Sequence, residues 1–398
     1  MNSSKRLLPI DAVRGLAMFF VCISHISYFF ITSAPVASAM FRNLGFFATP
    51  NFLLMSGLAC GYRLASSSSG ATVMRIVDRG LFVLLIGHIA IAGSLVYIVL
   101  PGTAFEHIVI TDCIGLLLCT APALRVLPAR QLLPAGAAIY LVSSVAGLIW
   151  APTSTLGAVV GGLLLGIPSN ALPDLGWTSA TVPLFGLFLI GVGVGKLICE
   201  FRRKGSGDVL WRRLFVVGAA AAIIALLMTA GRYFVKSTLL ADYGGDDWVY
   251  PLLAGLELRQ KIPPSPAYAL FYGGLGLALV GLLGRVVQSK SSDAFVGRTA
   301  RVAAIVGRAS FVAYATQQWL IEFLPYPLGW EGALRSPLAS CAYLLAAMLV
   351  MFLVASAWDR AQGNRYLTLG LRPTARGDSS SWAAAFKKAA WSVRKAVG

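Results

Sequence analysis

Three ionisable side chains lie in the first apolar stretch of the chain, where charged groups are costly if the stretch enters a bilayer. Asp11, Arg14 and His25 supply an acid, a cation and an imidazole. At roughly 100° per residue, the step from Arg14 to His25 completes about three turns plus ~20°, so both side chains leave one helix face ~16 Å apart. Asp11 lies one turn before Arg14. The trio predicts a polar path into a helix bundle. The alternative is that Arg14 only marks topology and His25 hydrogen-bonds a neighbouring helix.

A second candidate is the short basic segment ahead of the third apolar stretch. Arg75 and Arg79 are one helical turn apart there and share a face. Paired arginines at a helix start can bind phosphate groups bidentately. The alternative is topological charge alone, and the motif favours neither.

A polar stripe runs through a late apolar stretch. Ser310, Tyr314 and Gln317 follow i, i+4, i+7 spacing, with Glu322 beyond them. Lipid would penalise this stripe, so we expect it to face the bundle interior and contact substrate. Asn51, at the start of the second apolar stretch, is a further candidate substrate contact, while Asp112 is a secondary candidate.

Composition limits the class of protein. The chain has 398 residues, 57% hydrophobic and only 12% charged, whereas a soluble domain carries about 25% charged residues. A net charge of +17 could indicate nucleic acid, but the basic residues lie between membrane-length apolar segments rather than in one patch. We therefore expect an all-α, polytopic membrane bundle in contact with the lipid bilayer and no nucleic-acid partner. The cysteines have no metal-ligand spacing, so neither a metal site nor a disulfide framework is expected.

The apolar segments predict ten spans, with residues 156–166 too short to cross and better described as re-entrant or packed over the bundle. The spans lie near 9–31, 45–64, 80–100, 108–127, 132–150, 181–200, 214–231, 266–287, 304–324 and 337–357. With both termini in the cytoplasm, all but six of the 33 basic residues fall on the cytoplasmic side, as the positive-inside rule requires. The six are Arg42, Arg232, Lys236, Arg259, Lys261 and Arg335.

The chain divides into two parts. Residues 1–358 form the predicted transmembrane domain. Residues 359–398 are predicted to form a basic amphipathic cytoplasmic tail, because Trp382, Phe386 and Val393 recur at helical spacing against a basic face.

Together these residues resemble acyltransferase family 3 and its relatives. The motifs that carry the resemblance are Asp11-x-x-Arg14-Gly15 with His25, Ser56-Gly57, the arginines that open the third span, and Gly307-x-x-Ser310-x-x-x-Tyr314. The segment Arg42-Asn43-Leu44-Gly45-Phe46 looks most like the branch that succinylates periplasmic glucans. The sequence departs from many members at Gln317 or Gln318, where they place a late histidine.

The resemblance implies an acyl-CoA-dependent O-acyltransferase in the bacterial inner membrane. It would take an acyl group from cytoplasmic acetyl-CoA or succinyl-CoA to a hydroxyl of an extracytoplasmic glycan. His25 matches the family's first-helix histidine and Arg14 its partner, with Asp11 in the same catalytic group, and Arg75 and Arg79 match the cluster associated with donor phosphates. We expect His25 to act as general base, although a route through an acyl-histidine stays open, as does a homo-oligomer.

Two other classes compete with an enzyme. In a transporter or flippase, Arg14, His25 and Glu322 would line a translocation path. In a scaffold for an envelope complex, the same polar positions would be replaceable without loss of function. Against a transporter, the sequence shows no pair of matching broken helices in two related halves.

Overall fold

The computed structural model describes residues 7–67, 69–94, 108–167, 180–243, 253–288 and 295–371. Within these ranges the protein is built from helices and contains no strand, which confirms the all-α prediction. The helices, numbered in chain order, are α1 Leu8–Ile26, α2 Pro35–Gly45, α3 Ala48–Ser66, α4 Gly70–Phe82, α5 His88–Ala92, α6 Ile110–Cys119, α7 Ala121–Val126, α8 Ala129–Ile149, α9 Thr155–Leu165, α10 Thr181–Arg203, α11 Gly207–Tyr243, α12 Pro266–Tyr268, α13 Gly274–Gln288, α14 Phe295–Arg308, α15 Ser310–Gln317, α16 Glu331–Leu334 and α17 Pro337–Arg360.

Among the described residues, seven helical stretches are long and apolar enough to cross a membrane. They are Leu8–Phe30, Pro35–Ser66, Ala129–Ile149, Thr181–Arg203, Gly207–Val235, Pro266–Gln288 and Pro337–Arg360. The predicted multi-pass class is thus supported, but the count of ten is not confirmed. The other three predicted spans lie near 80–100, 108–127 and 304–324. Their described parts coincide with shorter helices joined by turns, and residues 95–100 lie outside the described residues.

In the part of the chain that the structure describes, three helical stretches contain a π turn, in which the backbone bonds from i to i+5 and absorbs an additional residue. The turns are Val83–Gly87 between α4 and α5, Ala269–Gly273 between α12 and α13, and Gln318–Phe323 after α15. Each changes which side chains share a face before and after it. Each also adjoins polar side chains described below: His88, Asn51 and Glu322.

Glycines allow helices to approach one another closely at several crossings of the bundle. In the contact between α3 and α10, a Cβ at Gly61 would lie 2.0 Å from the Val192 oxygen, and one at Gly195 would lie 2.1 Å from the Leu58 oxygen. Small residues at such crossings let backbones meet in a membrane, where no hydrophobic force between helices drives association.

Two further segments singled out from the sequence are the short apolar run at 156–166 and the C-terminal tail. The apolar run at 156–166 forms α9, which is too short to span, as predicted, and ends at Gly166 with a φ of 74°. Of the predicted tail, residues 372–398 lie outside the described part of the chain. Residues 359–371 complete α17 and then fold against the rest of the protein through a 3₁₀ turn at Gly363–Tyr366.

Candidate functional site

A large cavity opens at the end of the bundle where α1, α3 and α4 meet. Its volume is about 920 Å³, within the range typical of small-molecule sites. The charged groups among its described lining residues are five arginines and a single carboxylate, that of Asp11; the arginines are Arg14, Arg63, Arg75, Arg79 and Arg308. This excess of positive charge suits an anionic ligand, and arginine is the side chain best shaped to bind phosphate.

Helix α4 carries the predicted phosphate-binding pair into this cavity. Ser69 caps the helix by accepting a hydrogen bond from the Ala71 N–H, 3.2 Å away, and both Arg75 and Arg79 line the cavity wall. Arg75 is exposed and Arg79 is half-buried, so the pair leads from the mouth inwards. The shared face predicted from their spacing is therefore present.

The crossing of α1 with α14 positions Arg14. A Cβ at Gly15 would lie 1.8 Å from the Ala303 oxygen, and one at Gly307 would lie 1.7 Å from the Asp11 oxygen, so the two backbones touch. This contact brings Arg14 against the start of α15, where its guanidinium donates a hydrogen bond to the Ser310 hydroxyl. Asp11, Arg14 and Ser310 all line the cavity.

Further along the same helix, His25 meets a carboxylate. Its Nδ1 contacts the Glu322 Oε1, and both side chains are largely buried, at 19% and 16% exposed. Glu322 also accepts a hydrogen bond from the Gln318 amide, and Gln318 accepts one from the Gln317 amide at 2.9 Å. A carboxylate at Nδ1 orients an imidazole and leaves Nε2 as its basic nitrogen.

Arg14 and His25, which their eleven-residue spacing predicts to share a helix face, therefore both contact the same late stretch of chain. The π turn explains why Glu322 takes part. In an uninterrupted α-helix, Glu322 would lie about 120° around the axis from Ser310. The i+5 bond from the Leu324 N–H to the Trp319 oxygen, 2.9 Å, absorbs a residue and returns the carboxylate towards the stripe.

Sequence reasoning did not anticipate this direct pairing of His25 with Glu322, because a π turn has no simple sequence signal. It also missed Arg63 and Arg308 at the cavity, and Asn364, which comes from beyond α17. Arg308 could have been found, because it lies two residues before Ser310 in the late motif. Asn364 could not, because nothing in its local sequence places it near α4.

The remaining predicted residues divide into two groups. Tyr314 lines the cavity with Ser310, whereas among the described residues the lining stops short of Gln317, Glu322 and His25. Asn51 is fully buried elsewhere, where its amide donates to the Phe47 oxygen at 2.7 Å and the Tyr272 oxygen at 2.9 Å. These bonds tie α3 to the π turn before α13, so the geometry gives Asn51 a packing role and does not bring it to the site.

A second imidazole–carboxylate pair lies between α5 and α6. His88 Nδ1 is 2.9 Å from the Asp112 Oδ2, which also accepts a hydrogen bond from the Val109 N–H at 3.0 Å. Asp112, a secondary candidate from sequence, thus caps the start of α6. The adjacent Thr111 lines the cavity.

Fold and site together define a multi-pass membrane protein whose arginine-lined cavity suits an anionic ligand. The chain belongs to acyltransferase family 3: a sequence profile described as an acyltransferase domain matches residues 8–356. The resemblance seen in the motifs is therefore confirmed, and the protein is a membrane acyltransferase. A search of curated proteins finds no significant match to the chain.

Proposed function

We propose that this acyltransferase moves an acyl group from a cytoplasmic acyl-CoA to a hydroxyl of an extracytoplasmic glycan, in the bacterial inner membrane. The observation that carries the proposal is the arginine-lined cavity, which adjoins α15; Arg14 contacts Ser310 at the start of α15, and His25 contacts Glu322 in the π turn that follows it. Acetyl-CoA and succinyl-CoA are the proposed donors. The weak likeness of residues 42–46 to the glucan-succinylating branch favours succinyl transfer.

The donor's phosphates would bind at the cavity mouth. Arg63, Arg75 and Arg79 are the basic side chains towards this end, and the positive-inside rule puts the same end in the cytoplasm, where acyl-CoA is found. The extended pantetheine arm would then follow the cavity past Arg14 and Ser310 to Tyr314. That route brings the thioester towards the imidazole of His25.

In the proposed reaction, His25 acts as general base. Its Nε2 takes the proton of the acceptor hydroxyl as the oxygen attacks the thioester carbonyl. The C–S bond then breaks, the new ester forms, and the proton passes from the imidazolium to the departing thiolate of coenzyme A. The Glu322 carboxylate would hold the ring and stabilise its cationic form.

Removing the two mouth arginines tests the donor site. We expect Arg75→Ala with Arg79→Ala to weaken acyl-CoA binding to the purified protein by at least tenfold, because two charge-assisted phosphate contacts are lost. Arg298→Ala with Arg301→Ala is the matched control, since both side chains are exposed on α14 and do not line the cavity. Equal affinity in all three proteins would overturn the donor site.

Thioester cleavage separates the enzyme from the transporter alternative. Purified protein in lipid discs, incubated with labelled acyl-CoA and a hydroxylated acceptor glycan, should release free thiol and form acyl ester in equal amounts. A transporter would bind or move its substrate with the thioester intact. Family membership supports the first outcome.

A further inference from the structure

Beyond α17 the chain folds back across the cavity end of the bundle. We call residues 363–371 the C-terminal clasp. It begins with the 3₁₀ turn and ends on α4, the helix that carries Arg75 and Arg79. Asn364 of the clasp lines the cavity.

A buried carboxylate on α4 fixes one end of the clasp. Asp78 is fully buried, and it accepts hydrogen bonds from the Thr368 hydroxyl, the Leu369 N–H at 2.9 Å and the Leu371 N–H at 3.4 Å. A buried carboxylate is costly unless hydrogen bonds stabilise it, and here the clasp supplies three. The position of the clasp and the burial of Asp78 therefore depend on each other.

The other end of the clasp is tied to α14. The Asn364 amide donates to the Arg308 oxygen at 2.7 Å, and the Asn364 oxygen accepts from the Trp358 indole at 3.2 Å. The Arg308 side chain also forms a two-pronged ion pair with Asp359, at 2.9 and 2.7 Å. The clasp thus joins α4 to α14, whose Arg308 faces the same cavity as the α4 arginines.

We propose that Asp78 is a positioning residue for the acyl donor, and that the clasp it anchors is part of the donor site. By holding the clasp on α4, Asp78 sets the distance between Arg75 and Arg79 on one wall and Arg308 with Asn364 on the other. The donor's phosphate end would contact both walls. This inference rests on the proposed function, because it assumes that the cavity binds acyl-CoA.

Two variants of Thr368 test whether its hydrogen bond to Asp78 positions the clasp, and both change the shape of the side chain little. Thr368→Val removes the hydroxyl that donates to Asp78, whereas Thr368→Ser keeps it. We expect Thr368→Val and Asp78→Asn to raise KM for acyl-CoA about tenfold, the effect of losing one charge-assisted hydrogen bond, with kcat retained at saturating donor. Thr368→Ser should keep the KM for acyl-CoA of the unsubstituted protein. Glu200→Gln, which removes an exposed carboxylate of α10, is the control for charge.

Two truncations give an independent readout. A chain that ends after Leu371 keeps the whole clasp and should keep the normal KM, whereas one that ends after Arg360 should show the raised KM. If Asp78→Asn fails to fold, the Thr368 pair decides.

The possible failures are distinguishable. The role of the clasp would be overturned if KM for acyl-CoA is unchanged both in Thr368→Val and in the chain that ends after Arg360. If Arg75→Ala with Arg79→Ala still weakens donor binding in that case, the proposed function stands. If the arginine pair also has no effect, the donor site itself is wrong. A fall in kcat with unchanged KM would assign Asp78 to general stability instead.

Discussion

Two half-buried histidines, His25 and His88, each contact a carboxylate beside a π turn, yet their surroundings differ. His88 follows the turn Val83–Gly87, and its partner Asp112 also accepts the Val109 N–H and so caps a helix. The partner of His25 lies inside the turn Gln318–Phe323 and is bonded only to side chains among the contacts described above: His25 and Gln318. The same two functional groups are therefore used in different ways.

This difference gives the His88–Asp112 pair a structural role and favours the His25–Glu322 pair as the proposed catalytic group. Asp112 satisfies a backbone donor that every helix start leaves open, so its pair has a reason to exist without any substrate. Glu322 satisfies no backbone group in those contacts, but it is linked through Gln318 to Gln317, next along the stripe from Tyr314 at the cavity. A buried ionisable pair without a structural duty, close to a ligand cavity, is the better candidate for catalysis.

Removing each imidazole is the strongest test of this distinction. His25→Ala should lower the rate of acyl transfer by about 10²–10⁴, the usual contribution of a general base. His88→Ala should leave transfer within a few-fold and lower the thermal unfolding midpoint, because Asp112 loses a partner. Turnover of labelled acyl-CoA and the midpoint are measured on the same detergent-solubilised samples. Full transfer by a folded His25→Ala protein would end the catalytic assignment.

Changing each carboxylate to an amide should give a smaller contrast. Glu322→Gln keeps the size of the side chain but removes the charge that stabilises the imidazolium, so kcat should fall about ten- to hundredfold with donor KM unchanged. Asp112→Asn should reduce stability by about 1 kcal/mol through the weakened cap while kcat stays within about threefold. Should kcat respond equally to both changes, the distinction between the pairs would be lost.

Adding one methyl group at the crossing of α1 and α14 should affect the His25–Glu322 pair and leave the His88–Asp112 pair unchanged. Gly307→Ala would place a Cβ 1.7 Å from the Asp11 oxygen and push α1 away from α14. We expect a loss of about 1–3 kcal/mol in stability and slower transfer, because His25 lies on α1 and Glu322 follows α15. Gly231→Ala on α11, where a Cβ would meet nothing within 4 Å, is the control. Unaltered stability and transfer in Gly307→Ala would contradict the tight crossing.

Asn51 gives the smallest expected effect, and it tests a position that touches neither pair. Asn51→Ala loses two hydrogen bonds and should cost about 1–2 kcal/mol in stability, with kcat and both KM values unchanged. Thermal unfolding and steady-state kinetics measure these quantities. A raised KM for the acceptor at an unchanged midpoint would instead support the substrate contact predicted from sequence.

The sequence predicted those parts of the site that depend on regular helix geometry. Arg14 and His25 share a face because α1 is regular from Leu8 to Ile26, and Arg75 and Arg79 share one because α4 is regular between them. Hydropathy predicted the helical membrane class for a similar reason. Each of these inferences uses only the helical repeat and the cost of polar groups in lipid.

The sequence could not predict what depends on irregular backbone or distant contacts. The π turn moved Glu322 to a face that the α-helical repeat does not assign to it. Nothing in the local sequence marks Asp78, and its hydrogen bonds appear only when the clasp, 290 residues further along the chain, is seen to bind it. Asn51 shows the converse: a polar residue in an apolar helix satisfied two carbonyl oxygens of the bundle.

The π turn at Gln318–Phe323 makes residue count part of the chemistry. Deleting the one residue of this turn that follows Glu322, Phe323, would let an ordinary α-helix run through the segment with every remaining side chain intact. The carboxylate would then rotate off the imidazole's side of the helix, although no functional group had been removed. If the proposed mechanism holds, the number of residues between Tyr314 and Pro325 matters to the reaction as much as the identity of Glu322.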